Sequence, residues 1–542
     1  MKKVQFKIYL TSFLLGLGFV SCTDLEIEET DSFISEGFQG LENPSSALEA
    51  LYGDVRGQLA DQANTYALLE VTTDAQIIPT RGADWGDNGR WRKLHQQEWG
   101  FEDADIITPF EQWNKNQLSA SQILDERSNS PEDVKLQARF LRAYAMWRIL
   151  DLYGQVPFRD TSLPSTALPE VLSGQAAVDF ILADLDTCIS GLPSLTGNSG
   201  DELKRPGKAA ARFLKAKILL NKHIYVNQLT GGGGSPDAGD MAQVISLVDA
   251  ITADGYELDE NYFDIFKADA DKETIWFTES NVQNMIYAPM HLNQYGLAGG
   301  GGWNGFSTLA EYYDLFEGDS NSNRVETDLT PLDGQEIRRG GVPSEGLPFT
   351  GRQYTEDASG YEFGSNVGFG FLVNQQYDLD GSKLQDRQGV DLAFTRDFVD
   401  GTGSKNLINN SERTGIRIIK YNPRFGETTL HKVQFRYADA YLMKAEAMFR
   451  TGGDPTEMIN TLRVLRDATP LGSVSESDIL DERARELYTE GWRRGDLIRF
   501  GQYLRAWEFK NDAEIGNEKR LLFPIPLPQL LANPSLVQNP GY

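Results

Sequence analysis

Between Arg81 and Trp91 the chain sets Arg81, Asp84, Trp85, Asp87, Asn88, Arg90 and Trp91 within eleven residues. Flat indoles beside planar hydrogen-bonding groups suit sugar recognition. The apolar C–H faces of a pyranose stack on Trp or Tyr, and its hydroxyls bond to Asp, Asn, Gln or Arg. A second set, His291, Asn293, Gln294, Tyr295 and Trp303, lies around the glycine tract at 299–302. An exposed indole costs free energy in water, so a Trp-rich loop is either tucked into a core or meets a flat apolar ligand. Trp85, between Asp84 and Gly86, and Trp303, after four glycines, read as ligand-facing, while Trp91 stays open between the two uses. Trp99 reads as core, as do Trp113, Trp147, Trp276, Trp492 and Trp507 in their periodic or strand-like contexts. The glycan-facing set is therefore Arg81, Asp84, Trp85, Asp87, Asn88, Trp91, Asn293, Tyr295 and Trp303.

Other chemistries find less support. His95, His223, His291 and His431 lack metal-ligand spacing, and no HExxH, CxxC, Walker, GxSxG or dinucleotide fingerprint occurs. The glycines before Trp303 lack the Lys-Ser/Thr of a phosphate loop and read as a hinge. The stretch DLDGSKLQD, 378–386, carries a calcium-loop flavour but departs from EF-hand spacing, and 319–328 is similar. No catalytic residue, metal site or cofactor is expected, with structural calcium the alternative at 378–386. Paired carboxylates in ERARELYTEGWRRGDLIRF (Glu482, Glu486, Glu490, Asp496) suggest glycosidase chemistry on one reading. Set among Arg483, Arg493 and Arg494 at helical spacing, they read instead as helix-supporting ion pairs. Cys188 reads as a buried helix residue.

The elements that must hold the loop are mostly helices. Residues 45–60, 106–126, 131–153, 175–192, 206–225 and 240–254 have helical apolar spacing, with Ser45 or Ser46 a cap for the first and Gly154 a stop for the third. Ala209, Ala210, Ala211 and Ala216 allow close helix approach. Helical periodicity returns at 435–450, 456–466 and 475–500. Residues 72–99 have neither helical period nor strand alternation, and 261–427 are rich in Gly, Asn, Asp, Ser and aromatics. The fold predicted is mainly α: a tetratricopeptide-like helical-repeat scaffold with a loop-rich irregular lobe carrying short β-hairpins.

A net charge of −28 discounts nucleic acid and anionic lipid as partners. Lys2, Lys3 and Lys7 precede an apolar run at 8–20 too short to span a bilayer comfortably, as in a secretion signal. The run ends at Ser21-Cys22, which resembles a bacterial lipobox. Cys22 would then be lipidated and anchor the chain to a membrane, and the acidic residues after it look like a surface-export tag. A plain cleaved signal is the alternative.

Three C-terminal blocks, FRYADAYLMKAEAMFRTGG, INTLRVLRDAT and ILDERARELYTEGWRRGDLIRFG, resemble the SusD/RagB family. So do the closing FPIPLPQLLANPSLVQNPGY and, upstream, QARFLRAYAMWRILDLYGQVPF and RPGKAAARFLKAKILLNKHIY. The resemblance implies a non-enzymatic lipoprotein on the outer face of the outer membrane. It would capture oligo- or polysaccharide and act as the lid of a SusC-like TonB-dependent transporter. The loop's mixed charges, Arg81, Arg90, Arg92 and Lys93 against Asp84 and Asp87, leave neutral and acidic glycans equally open, with a β-glucan one candidate. A peptide-capturing member and a surface scaffold without small ligand are the alternatives. The organisation expected is a signal at 1–21, a tether at 22–44, a helical region at 45–260 with the aromatic loop, the irregular lobe at 261–427 and a second helical region at 428–542.

Overall fold

The computed structural model describes residues 37–164, 166–196, 200–231, 233–266, 271–279, 305–323, 335–342, 345, 369–377, 381–386, 388–421 and 431–542. Helix α1 (Pro44–Ala60) starts with Pro44 in its first turn and the Asn43 side chain accepting the Ser46 amide at 3.0 Å. The cap is thus Asn43 and not Ser45 or Ser46, because proline suits the first helical position, where an N–H has no partner. A short α2 (Asn64–Glu70) follows, then α3 (Arg90–His95) inside the stretch predicted to be irregular. Helices α4 (Ala104–Leu124), α5 (Glu132–Tyr153), α6 (Gly174–Gly191), α7 (Lys208–Tyr225) and α8 (Ala238–Ala253) each pack on the next. This serial stacking is the tetratricopeptide-like arrangement the periodicity predicts.

Small residues set the spacing of the stack. Ala209, Ala210, Ala211 and Ala216 are fully buried, and a Cβ added at Gly191 would meet Leu136 Cδ2 at 2.6 Å. Helix α5 stops at Gly154, whose φ of +74° lets its N–H close on the Leu150 carbonyl. After a short α9 (Ala310–Tyr313), the stack resumes with α10 (Tyr437–Arg450), which packs on α8. Helices α11 (Thr456–Leu465), α12 (Glu476–Leu487), α13 (Arg493–Arg499) and α14 (Leu527–Ala532) complete the chain. The single helix read over 475–500 is two, because Thr489 and Gly491 adopt φ of +62° and +82° and reverse the chain between them. Among the described residues no helix is long and apolar enough to cross a membrane.

The strands are short. β1 (Gln155–Phe158) pairs antiparallel with β2 (Glu170–Ser173), and β3 (Thr274–Thr278) with β9 (Lys432–Arg436). Between these last two, β4 (Gly340–Gly341), β5 (Phe369–Leu372) and β8 (Arg417–Ile419) form a small sheet, and β6 (Asn374–Gln375) pairs with β7 (Ala393–Phe394).

Where these parts meet, the core is charged. Glu486 of α12 is fully buried and accepts from Arg436 at 2.9 Å, Arg466 at 3.0 Å and Arg338 at 3.1 Å. Arg436 and Arg466 also reach Glu273 at 2.9 and 3.0 Å. Arg338 bridges to Glu482 at 2.7 Å, and Glu482 takes Arg463 and Arg485 at 2.8 and 2.6 Å. A neighbouring cluster joins Arg483 to Asp439 and Asp496, Lys217 to Asp439, and Arg499 to Glu446 and Asp496. The sequence reading of these carboxylates as ion-paired holds, but most partners are tertiary and few lie at helical spacing. Burial pushes the Glu482 carboxyl up, yet Arg338, Arg485 and Arg463 outweigh it and hold it at about 2; Glu446, beside Arg499 and Arg450, is likewise held at about 2.

Removing one member of a buried pair strands the others, at about 3–5 kcal/mol. Glu486→Gln leaves three guanidiniums around a neutral amide, so we predict a loss of that size in chemical unfolding. Glu49→Gln, at the exposed pair with Arg205, should leave stability nearly unchanged. Equal effects would contradict a stabilising network. The sign of the pH dependence follows from the depressed carboxyls. Their contribution is complete above the ordinary Glu value of 4.5 and is lost as pH falls toward about 2.

Candidate recognition loop

The aromatic loop stands on a base anchored to the charged core. Arg493 holds Asp74 through two bonds of 2.8 and 2.6 Å, and the Gly491 amide donates to Glu70 at 2.6 Å. His95, fully buried, bridges the Gln76 and Glu508 carbonyls at 3.1 and 2.9 Å. Ile77 and Ser307 exchange backbone bonds of 2.9 and 3.0 Å. The Thr80 amide donates to the Leu407 carbonyl at 2.8 Å and the Asn410 amide to the Thr80 carbonyl at 2.9 Å. Residues 71–81 are accordingly all buried, and the chain emerges only after them.

The emergence is a tight turn. Arg81 and Asp84 exchange backbone bonds of 2.9 Å across Gly82, whose φ is +58°. Trp85, Asp87 and Asn88 then take φ of +59°, +35° and +53°, an unusual run for residues bearing side chains. Such backbone strain persists only where surrounding contacts fix it. Here the Trp91 Nε1 donates to Asp87 Oδ2 at 2.6 Å, and Trp85 packs edge-on against Trp91 and Phe306 at centroid distances of 5.8 and 5.7 Å. Gly305 lies flat on the Trp85 ring: a Cβ there would meet its Cδ2 and Cζ2 at 2.5 and 2.6 Å.

The predicted site residues separate into three groups. Asp84, Asp87 and Asn88 are exposed and Trp85 is half-buried, so these four share one rim. Arg81 and Trp91 do not belong to it. Arg81 is 3% exposed and donates to Ser411 O, Thr414 Oγ1 and Ser307 Oγ at 2.6, 2.7 and 2.9 Å; Trp91, also 3% exposed, is the wall behind Trp85. Both correct the sequence reading, because the loop needs internal anchors and these side chains supply them. Asn293, Tyr295 and Trp303 fall outside the described residues, as do His291 and Cys22.

Trp99 is core as predicted, its Nε1 donating to the Tyr542 hydroxyl at 2.7 Å, and Trp113, Trp147, Trp276, Trp492 and Trp507 are buried too. Cys188 is buried, which pushes its thiol up to about 12. At the calcium-like stretch, Asp386 accepts the Gln388 and Val390 amides at 2.9 and 3.0 Å and faces Arg413 at 3.2 Å, while 378–380 lie outside the described residues. Asp319 accepts the Asn321 amide at 2.9 Å, and 324–328 lie outside. Among the described residues no three His, Cys, Asp or Glu side chains are grouped to hold a metal.

Sequence reasoning missed three contributors. Arg92, half-buried, donates to Thr80 Oγ1 beside the rim, and Phe306 and Gly305 form the floor beneath Trp85. The signal was the small residue before Phe306, since glycine permits contact with a ring face. A separate cavity of about 640 Å³ lies between the end of α7 and α13, lined by Ile224, Tyr225, Gly233, Ile498 and Leu504 among others. None of the rim residues lines it.

The profile of the SusD family matches residues 272–542. The starch-binding protein SusD of Bacteroides thetaiotaomicron is 28% identical over 438 residues, covering 75% of this chain and 72% of that protein. Among solved structures, surface glycan-binding protein A from Bacteroides uniformis superposes with a TM-score of 0.64 at 18% identity, over 92% of this chain and 98% of its own. A laminarin-binding SusD-like protein superposes with a TM-score of 0.58 at 18% identity, over 93% and 100%.

Gly305→Ala tests the floor directly. We predict that the added methyl displaces Trp85, seen as a change in near-ultraviolet circular dichroism, with the unfolding midpoint almost unmoved. An unaltered aromatic spectrum would contradict the packing of Gly305 on Trp85.

Proposed function

The chain belongs to the SusD family, and on that footing we propose that it captures glycans at the rim formed by Asp84, Trp85, Asp87 and Asn88. One observation carries the reading. A half-buried indole is held rigidly on Phe306, Trp91 and Gly305 with hydrogen-bonding side chains around it. A pre-positioned ring loses little entropy when a sugar stacks on it, and Asp and Asn meet hydroxyls in a plane. Tyr295, Asn293 and Trp303 are proposed to complete the site from the lobe at 261–427. The helical regions at 45–260 and 428–542 serve as its scaffold. Similarity to one starch-binding and one laminarin-binding protein supports a glycan and keeps a β-glucan among the candidates.

Binding without catalysis fits the carboxylates. Glu482 and Glu486 are buried among arginines, where they can neither reach a polymer nor exchange protons near neutrality. We further propose the cell surface as the location, through a lipid on Cys22 after removal of 1–21 and a tether at 22–44. A SusC-like TonB-dependent transporter is the proposed partner, with this chain as its lid. The support for these last points is family membership and the signal-like N-terminus.

Isothermal titration of the mature protein with oligosaccharides tests the site. We predict that Trp85→Ala weakens binding by about 1–3 kcal/mol, the range for losing a well-packed aromatic contact. Unchanged affinity would remove Trp85 from the site. Saturable binding of mixed peptides, with none of glycans, would favour a peptide-capturing lid, and binding of neither would favour a scaffold.

A further inference from the structure

Three arginines at the base of the recognition loop have no carboxylate partner among the described residues. Arg81 and Arg417 are 3% and 1% exposed and lie side by side, both donating to Ser307 Oγ, at 2.9 and 2.7 Å. Their other acceptors are neutral: Ser411 O and Thr414 Oγ1 for Arg81, and the carbonyls of Glu412, Thr414 and Gly415 for Arg417. The buried Nε of Arg81 has no acceptor. This atom and Nη2 form the side edge with which a guanidinium grips a carboxylate or sulfate. Arg92, half-buried, bonds Thr80 Oγ1, and Thr80 adjoins Arg81, so the three cations run from rim to interior.

Arg148 and Arg339 are also buried on neutral acceptors, each singly, whereas other buried guanidiniums are answered by carboxylates. Arg338, Arg436, Arg466, Arg483 and Arg499 each meet carboxylates. Burying a charge costs several kcal/mol unless an opposite charge answers it. Burial accordingly drives Arg417 down to about 9; burial, then the neighbouring Arg417, drives Arg81 well below the ordinary arginine range. The net charge of −28 repels anions in general, so a buried positive pair beneath the aromatic rim, with Asp84 and Asp87 exposed beside it, is a local inversion.

We propose that the captured glycan carries an anionic substituent, a carboxylate or a sulfate ester, which docks at Arg92 with Arg81 and Arg417 supplying positive charge behind it. This rests on the glycan-capture reading above and names its substrate class. The low-dielectric surroundings of the buried pair strengthen its pull on a ligand charge at the rim. Either substituent satisfies the same side-on donors.

Affinity electrophoresis of the mature protein through paired polysaccharides tests this without altering the fold. The gels hold polygalacturonate and alginate, each native and carboxyl-reduced, a sulfated galactan native and desulfated, and laminarin and amylose. The expected result is retention by a charged form about tenfold stronger than by its neutral partner, a 1.4 kcal/mol preference. The reduced and desulfated arms tell carboxylate from sulfate, and Arg92→Gln should erase most of the preference. Equal retention by both forms, or retention by laminarin or amylose alone, overturns the anionic class and leaves glycan capture standing. Retention by none overturns glycan capture itself. A full preference surviving in Arg92→Gln overturns the assignment of Arg92.

Discussion

The buried carboxylate of Glu486, shared by Arg338, Arg436 and Arg466, is the interaction on which the rest of the molecule depends. It joins four separate parts of the chain: α12, the strand β9, the turn after α11, and the segment before β4. An apolar core could have joined them more cheaply, since desolvating ions costs more than burying hydrocarbon. What the ionic joint adds is direction. Each guanidinium fork donates to its carboxylates in a plane at one angle, so a sliding or rotated helix loses several bonds together. A stack of helices with small residues at its crossings has little else to fix such a register.

The same framework holds the aromatic loop. Arg493, on the helix just past the chain reversal, holds Asp74, and Gly491 within the reversal holds Glu70. From these points the chain stays buried to Arg81 and then makes one turn into solvent. Strained φ values at Trp85, Asp87 and Asn88 are sustained because Trp91, Phe306 and Gly305 enclose the ring from behind. The scaffold thus carries a short tip whose order comes from the contacts of the fold itself.

Much of this was legible in the sequence. Helical spacing placed α4, α5, α7, α8 and α10 within a few residues, although α5 is buried on every side from Ala143 to Leu150. The mixture of Trp with Asp and Asn located the loop. What stayed hidden depends on tertiary partners. Arg81 and Trp91 share the composition of a ligand-facing stretch, and only Ser307, Thr414 and Asp87 reveal them as internal anchors. The break at Thr489 is equally silent, since apolar periodicity runs through it while the backbone reverses. Glu482 and Glu486 looked like helix-surface pairs because helical spacing was the only geometry available. Their partners on β9 and before β4 lie far away in the chain.

The central claim is that a pre-ordered rim at Asp84–Asn88 captures glycan. Hydrogen–deuterium exchange on the mature protein, with and without a bound oligosaccharide, tests it most directly. New protection is predicted at residues 82–92 and 305–308, with little change at the α7 end of the separate cavity, residues 221–231. Protection confined to 221–231 and 495–504, with the Trp85 segment unchanged, would contradict it.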